Sequence, residues 1–510
     1  MTQPDRAPPA AVDEAASHGV TDKALRGMFW TGLQTGLRVL LHIAVVAVTA
    51  RLLAPEEFGL FFTAIVVVEF FQGLAGMGVR AALVQRPDLT EDHCNAGFTL
   101  TFIVGVVLAA AVFVLAPYAA SFFKQPVSLT PIIRTLTVVL VLRAPLEVAS
   151  ALLQRDFRFR EIAGVQLASF VIGPAGTTIA CATLGWGVWS LVAGYLAGVA
   201  VDTAASAWLV RLKAQPNLNP ARMRELFRFG AGLTANRMVN YFALQGDNLV
   251  VARFLGPASV GVYNRAYTLM AMPANLFQSA VERVFFSAMS RVQADPERQA
   301  RALRRGLSLV ALLSLPASAL FLVLAREIVT VLLGPGWEDV TLPLTILALG
   351  MFFRVAYKVA YASVISTGAV YRSLWRQAIY SLLVVGGCLV GQSFGLAGVA
   401  TAVLIALTVE FLLMTQLAAS IVEIRFSQVM ALLLPAAVTA GCVLTPAWIC
   451  AAVSRGYDLP PVVVLVGTAT MAILLTVLLT RLTRGVMIGA EGRWWVQTIA
   501  DQLQRLRERR

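Results

Sequence analysis

The sequence predicts an all-α polytopic membrane protein: two six-helix lobes related by an internal parallel repeat, plus two C-terminal helices, about fourteen spans in all. Three observations predict this fold. The chain is 58% hydrophobic and only 14% charged, against about 25% charged in soluble domains. Apolar stretches of about 20 residues, the length that crosses a bilayer, recur from end to end. Finally, one short phrase is written twice. Ala50-Arg51-Leu52-Leu53-Ala54-Pro55-Glu56-Glu57-Phe58-Gly59 returns 202 residues later as Ala252-Arg253-Phe254-Leu255-Gly256-Pro257-Ala258-Ser259-Val260-Gly261. A period of that length is too long for a solenoid. In an apolar chain it indicates two fused helical bundles, the usual plan of a transporter.

Residues 1–26 are polar, without the apolar core of a signal peptide, and read as a cytoplasmic tail. The N-lobe, 27–210, holds spans at about 28–50, 58–84, 95–116, 131–152, 161–183 and 187–209. A Pro- and Arg-bearing linker, 211–228, leads to the C-lobe, 229–420. Its spans lie near 229–252, 260–288, 306–325, 341–366, 373–393 and 396–419. Segment 421–484 adds spans 13 and 14. The tail 485–510, with Trp494, Trp495 and a closing Arg run, reads as a basic amphipathic helix on an anionic leaflet.

The positive charges set the orientation. With the N-terminus inside, 29 Lys and Arg fall on the inner side or at the inner ends of spans, seven lie deeper within spans, and five face outward: Arg51, Lys124, Arg253, Arg326 and Arg455. That asymmetry places both termini in the cytoplasm. Six spans separate the motif copies, so the repeats run parallel. Leu184-Gly185-Trp186-Gly187-Val188 before span 6 is echoed by Phe394-Gly395-Leu396-Ala397-Gly398-Val399 before span 12. The basic loop 290–305 reads as a topology determinant beside anionic lipid.

No catalytic constellation is present: there is no HExxH, P-loop or GxSxG. The sequence points to no enzyme, no metal site and no cofactor. The net charge of +13 sits in short loops between apolar stretches, which excludes a nucleic-acid partner. The five cysteines, in no CxxC and mostly in apolar segments, read as packing residues.

Charges inside spans carry the functional information, because each costs about 2.5–3.5 kcal/mol or more to insert. Arg143 and Glu147 stand four apart and are expected to pair within one helix. Arg38, Arg237, Arg265, Arg354 and Lys358 are the candidates for a cationic, anion-binding cavity. Arg354 and Lys358 are like charges four apart, which calls for an anion beside them. Guanidinium forks match phosphate oxygens. The competing explanation is interhelical pairing with Glu69, Asp202 or Glu410. Span 7 is unusually polar. Arg237, Asn240, Tyr241 and Asn248 share one face, so Asn240, Tyr241 and Asn248 are expected to line the cavity. Tyr263, Tyr267, Tyr357 and Tyr361 suit a sugar-bearing ligand. Asp247 is the candidate ion-coupling residue.

The motif Ala50–Gly59 and the segment Leu152-Leu153-Gln154-Arg155-Asp156-Phe157-Arg158-Phe159-Arg160 resemble Wzx-type polysaccharide and lipopolysaccharide biosynthesis flippases. That group belongs to the multidrug/oligosaccharidyl-lipid/polysaccharide exporter superfamily. The resemblance implies a bacterial inner-membrane protein that translocates an undecaprenyl-diphosphate-linked oligosaccharide by alternating access around a cationic cavity. Membrane lipid and the polymerase or export machinery of a polysaccharide pathway are its implied partners. Two alternatives remain at this stage: a drug/cation antiporter of the same superfamily, which favours buried carboxylates, and a membrane polymerase or ligase, which favours a large charged outer loop.

Overall fold

A computed structural model describes residues 36, 39–213, 215–291, 296–367, 369–482 and 489–495, except the side chains at 229, 231–233, 235–237, 239, 240, 278–291, 296, 370 and 480. Among the described residues every regular element is helical. The first helix is α1 (Val39–Leu52). Then come α2 (Pro55–Ala75), α3 (Val79–Gln85), α4 (Glu91–Phe122), α5 (Pro126–Leu136) and α6 (Val138–Arg155). Next, α7 (Phe159–Phe170) continues through a π-helical turn, Val171–Thr177, into α8 (Thr178–Thr183), and α9 (Val188–Leu209) follows. The second half has α10 (Pro220–Phe254), α11 (Pro257–Arg291), α12 (Pro296–Leu332), α13 (Thr341–Leu349), α14 (Met351–Ser366), α15 (Val370–Gly391) and α16 (Gly395–Ile421). Last come α17 (Phe426–Ala431), α18 (Leu434–Gly456) and α19 (Pro461–Leu482).

Proline punctuates the chain. Six helices, α2, α5, α10, α11, α12 and α19, begin at Pro, where the missing N–H costs no hydrogen bond. Pro174 lies in the π turn, where the widened helix accommodates its ring. Gly187 (φ 55°, ψ −132°) precedes α9 and Gly395 (φ 67°, ψ −155°) opens α16. The echoed loops thus share a backbone conformation that only glycine adopts readily.

Among the described residues, ten helical stretches are long and apolar enough to cross a membrane, one of which spans α15 and α16. Helices α10 and α11 are long enough, at 35 residues each, but more polar. The loop expected at 290–305 is largely helix instead, because α12 starts at Pro296 and carries Arg298, Arg301, Arg304 and Arg305 on its first turns. Val107 and Val114 of α4, Trp448 of α18 and Leu474 of α19 are among many large apolar side chains left exposed. Such a surface suits lipid and would be an aggregation hazard in water.

The described chain forms two compact units. Unit 1 contains Val67–Ser121 and Gln125–Met238, with the described residues up to Val45. Val79, Leu83, Ala96, Val148 and Leu226 build one of its buried clusters. Unit 2 contains Val46–Val66, Phe122–Lys124 and the chain from Val239 onward. Within unit 2, α18 is tied to α12 by Arg455, which grips both Glu327 oxygens at 2.8 Å. The 489–495 turn is held at the start of α12: Arg305 pairs with Glu491 at 3.3 Å and stacks 3.7 Å over Trp494.

Candidate functional site

The two motif copies pack against each other within unit 2. Pro55 and Pro257 are the first residues of α2 and α11, and Gly59 and Gly261 sit one turn inside. A Cβ at Gly59 would lie 1.7 Å from the Pro257 carbonyl oxygen; one at Gly261 would lie 1.9 Å from the Pro55 oxygen. The motif glycines therefore end no helix. They allow two helix starts to cross backbone to backbone. Around this crossing Arg51 donates to the Val331 carbonyl at 2.8 Å, and the buried Trp337 indole donates to the Ala50 carbonyl at 2.8 Å. Arg253, the matching arginine, lies 5.1 Å over the Phe122 ring.

One helix turn deeper on α11 is Arg265, only 5% exposed. Its guanidinium stands 3.9 Å over the Phe58 ring and 5.6 Å from Phe62. Its Nε has no hydrogen-bond partner, and no carboxylate among the described residues pairs with it. Aromatic faces offset part of the cost of burying a cation. They leave its N–H donors unspent, and an anion is the group that spends them best.

Elsewhere in unit 2 a second polar network joins five helices. Tyr263 donates to Asp247 Oδ2 at 2.8 Å, and the Asn248 backbone N–H donates to Oδ1 at 2.8 Å. Asn248 Nδ2 donates to Gln245 at 2.8 Å. Arg354 donates to the Tyr267 hydroxyl and lies 4.9 Å over the same ring. Glu410 of α16 is 2% exposed, accepts from Gln377, and feels the charges of Arg354 and Lys358. A carboxylate of the chain itself thus lies near this like-charged pair.

Unit 1 holds a third arrangement. Arg80, Arg143, Ser150, Gln166, Asp202 and Ser206 line a polar cavity of about 130 Å3. Arg80 pairs with Glu147 at 3.2 Å. This corrects the expected Arg143–Glu147 pair. Arg80 approaches Glu147 from α3, while Arg143 reaches across to hydrogen-bond Tyr195 of α9. The Nε atoms of Arg80 and Arg143 are both buried without a partner.

Of the residues singled out from sequence, Arg265, Arg354, Lys358, Asp247 and Asn248 are all placed in the interior of unit 2. Tyr241 also belongs to it and donates its hydroxyl to the Val66 carbonyl. Arg38 lies outside the described residues, and so do the side chains of Arg237 and Asn240. Arg80 and Trp337 escaped sequence reasoning. Arg80 stands near the end of span 2 and passed for a boundary charge. Its place inside the expected span 58–84, four residues from the end, was the available signal.

The sequence family described as polysaccharide biosynthesis protein matches residues 48–342. The lipopolysaccharide biosynthesis protein WzxC of Escherichia coli (strain K12) is 26% identical over 325 residues, 62% of this chain and 65% of the relative. The succinoglycan biosynthesis transport protein ExoT of Rhizobium meliloti (strain 1021) is 27% identical over 372 residues, 72% of this chain and 74% of the relative. In fold, the chain matches the lipid II flippase MurJ in its inward closed conformation with a TM-score of 0.76 at 14% identity, covering 90% of this chain and 99% of that one. An inward-facing multidrug resistance MATE family transporter of the MOP superfamily matches with a TM-score of 0.61 at 15% identity, covering 76% and 94%.

Proposed function

This chain belongs to the polysaccharide biosynthesis protein family, and from that premise we propose that it is a flippase for a lipid-diphosphate-linked oligosaccharide. It carries an undecaprenyl-diphosphate-linked glycan across the bacterial inner membrane for exopolysaccharide, capsule or O-antigen assembly. Fourteen spans leave both termini in the cytoplasm. Transport proceeds by alternating access around a cationic cavity, and the product passes to the polymerase or export machinery of its pathway.

The observation that carries this reading is Arg265: a guanidinium 5% exposed, backed by Phe58, with an unpartnered Nε and no paired carboxylate among the described residues. Its donor fork suits a diphosphate, and the aromatic backing keeps it charged without neutralising it. Arg38 and Arg237 are assigned the same role, with Asn240, Tyr241 and Asn248 lining the path of the sugar. The motif crossing of α2 and α11 is assigned to the outer gate. Membrane abundance and surface glycan are measured together in a deletion strain carrying each variant. Arg265→Ala is expected to stay abundant and lose most export. Arg265→Lys restores only part, because a point charge replaces a fork. Normal glycan from Arg265→Ala at normal abundance overturns the cationic-cavity reading. Cysteine labelling from outside is expected at positions 124 and 338 and absent at positions in 211–228.

A further inference from the structure

Two helix ends of unit 2, both outer ends on the topology proposed above, cap each other. The last four carbonyls of a helix lack partners within it. At the end of α1 the Ala50 carbonyl is one of these, and the Trp337 indole N–H donates to it at 2.8 Å. At the end of α12 the Val331 carbonyl is another, and the Arg51 guanidinium donates to it at 2.8 Å. The loop after α12 follows the Arg51 stem closely: a Cβ at Gly334 would stand 3.3 Å from the Arg51 Cγ. Trp337 ends this loop and is only 1% exposed.

Trp337 also reaches inward. Its ring meets the Phe58 ring edge to face, with centroids 5.5 Å apart. Phe58, fully buried in the first turn of α2, in turn carries the Arg265 guanidinium 3.9 Å over its face. An unbroken line of buried groups therefore runs from the Ala50 carbonyl through Trp337 and Phe58 to Arg265. Along it, the indole N–H is spent on Ala50 and the Arg265 Nε–H is unspent. A guanidinium rests on an aromatic face through its charge. An anion that takes up its free donors draws it off the ring, because charge-assisted bonds are the stronger attraction. Phe58 then keeps only one of its two supports. In a close-packed interior such a release is felt by the next side chain in line, which is Trp337.

We propose that Phe58 and Trp337 couple the anion site to the outer closure: a phosphate-class anion that takes up the Arg265 donors frees Phe58, and the freed ring releases the Trp337 cap from the outer end of α1. The inference rests on the flippase reading and gives its site a form of regulation. An empty site keeps Phe58 clasped and α1 capped. A loaded site breaks the cap and lets the crossing of α2 and α11 part. The outer closure thus yields to a loaded carrier in preference to an empty one. The two-state element is the cap itself, made or broken.

The test uses the full-length protein in lipid nanodiscs, with inorganic diphosphate as the probe. The first readout is the rate at which a membrane-impermeant maleimide labels Ala50→Cys, counted above the same protein without that substitution. Ala50 is 3% exposed, so labelling reports opening. Diphosphate should speed it about fivefold or more, the lower end of ordinary couplings. Trp337→Phe, which keeps a ring without the N–H, and Phe58→Leu should label at the fast rate with or without diphosphate. Arg265→Gln, whose amide has no charge to rest on the ring, should also label fast and ignore the probe. Trp337→Leu and Phe58→Met carry the same expectations should either first variant fail to insert. The second readout is diphosphate affinity. Coupling is reciprocal, so Trp337→Phe, with no cap left to break, should bind the probe severalfold more tightly. A residue that merely stabilises the fold would speed labelling and leave affinity unchanged, and that result overturns the proposal. So does labelling that diphosphate still speeds in Phe58→Leu, or fails to speed in a wild-type background that binds it. If wild-type protein binds no diphosphate, the cationic-cavity reading falls, and labelling without a ligand decides the link. Arg265→Gln, Trp337→Phe and the double variant should then share one rate. A double variant whose effect is the product of the two single ones overturns the coupling.

Discussion

Two regions bury charges at membrane depth and treat them in opposite ways. In unit 2, Asp247 and Arg354 are bound to the hydroxyls of Tyr263 and Tyr267 and Glu410 accepts from Gln377, while Arg354 Nε and Glu410 Oε1 keep no hydrogen-bond partner. In unit 1, Arg80 and Arg143 surround a cavity and keep N–H donors that no protein atom accepts. The first is a network of protein partners that links α10, α11, α14, α15 and α16. The second is built around a cavity. A buried charge in a membrane protein is thus no single signal. Its meaning depends on whether the protein or a guest supplies the counterpart.

The comparison breaks most readily in unit 2. Arg354→Ala takes the donor from the Tyr267 hydroxyl and a nearby positive charge from Glu410, and leaving a buried charge uncompensated costs about 3–5 kcal/mol. A clear loss of thermal stability in purified protein is expected, recovered in part by adding Glu410→Gln. Unchanged stability would mean that water already enters this network. Asp247→Asn should cost less, on the order of 1–3 kcal/mol, since the amide keeps one acceptor for Tyr263. Arg143→Gln in unit 1 should cost about 1 kcal/mol or less, the worth of its hydrogen bond to Tyr195. The reverse order would make the cavity the more tightly held of the two regions.

The smallest effect belongs to an exposed pair that serves as control. Arg86 hydrogen-bonds Glu225 at 2.7 Å and holds its carboxyl below the usual range. A depressed carboxyl contributes stability above its unfolded value and loses it as pH falls through its folded one. Glu225→Gln should therefore flatten a slight acid-side decline in thermal stability. Raised salt should shrink that effect and leave the Arg354 effect in place.

Much of the fold was legible in the sequence, for a physical reason. A bilayer admits few ways to satisfy a backbone, so apolar length and charge asymmetry report helices directly. The repeated motif was legible because Pro and Gly state backbone requirements rather than side-chain preferences. Its use was not. Gly59 and Gly261 are sites of contact between helices, which the motif itself does not state. The candidate site was legible in type and not in pairing. Arg143 and Glu147 sit at helical spacing, yet Glu147 answers Arg80 from another helix. Spacing along one helix cannot show what a neighbouring helix brings. Likewise, the spacing of Arg354 and Lys358 could not show that Glu410, more than 50 residues away, comes near them.

The reciprocal crossing of α2 and α11 has a consequence for how this chain can change over time. Gly59 meets the Pro257 carbonyl as Gly261 meets that of Pro55, which is the geometry of a self-complementary dimer contact held within one polypeptide. In a dimer of identical subunits, one mutation would strike both halves at once. Fusion separates them, so each copy can drift alone. Here it cannot drift far, because any side chain added on one copy collides with the backbone of the other. The crossing ties two stretches of gene 202 codons apart into a single inherited unit, free to vary everywhere except where they touch.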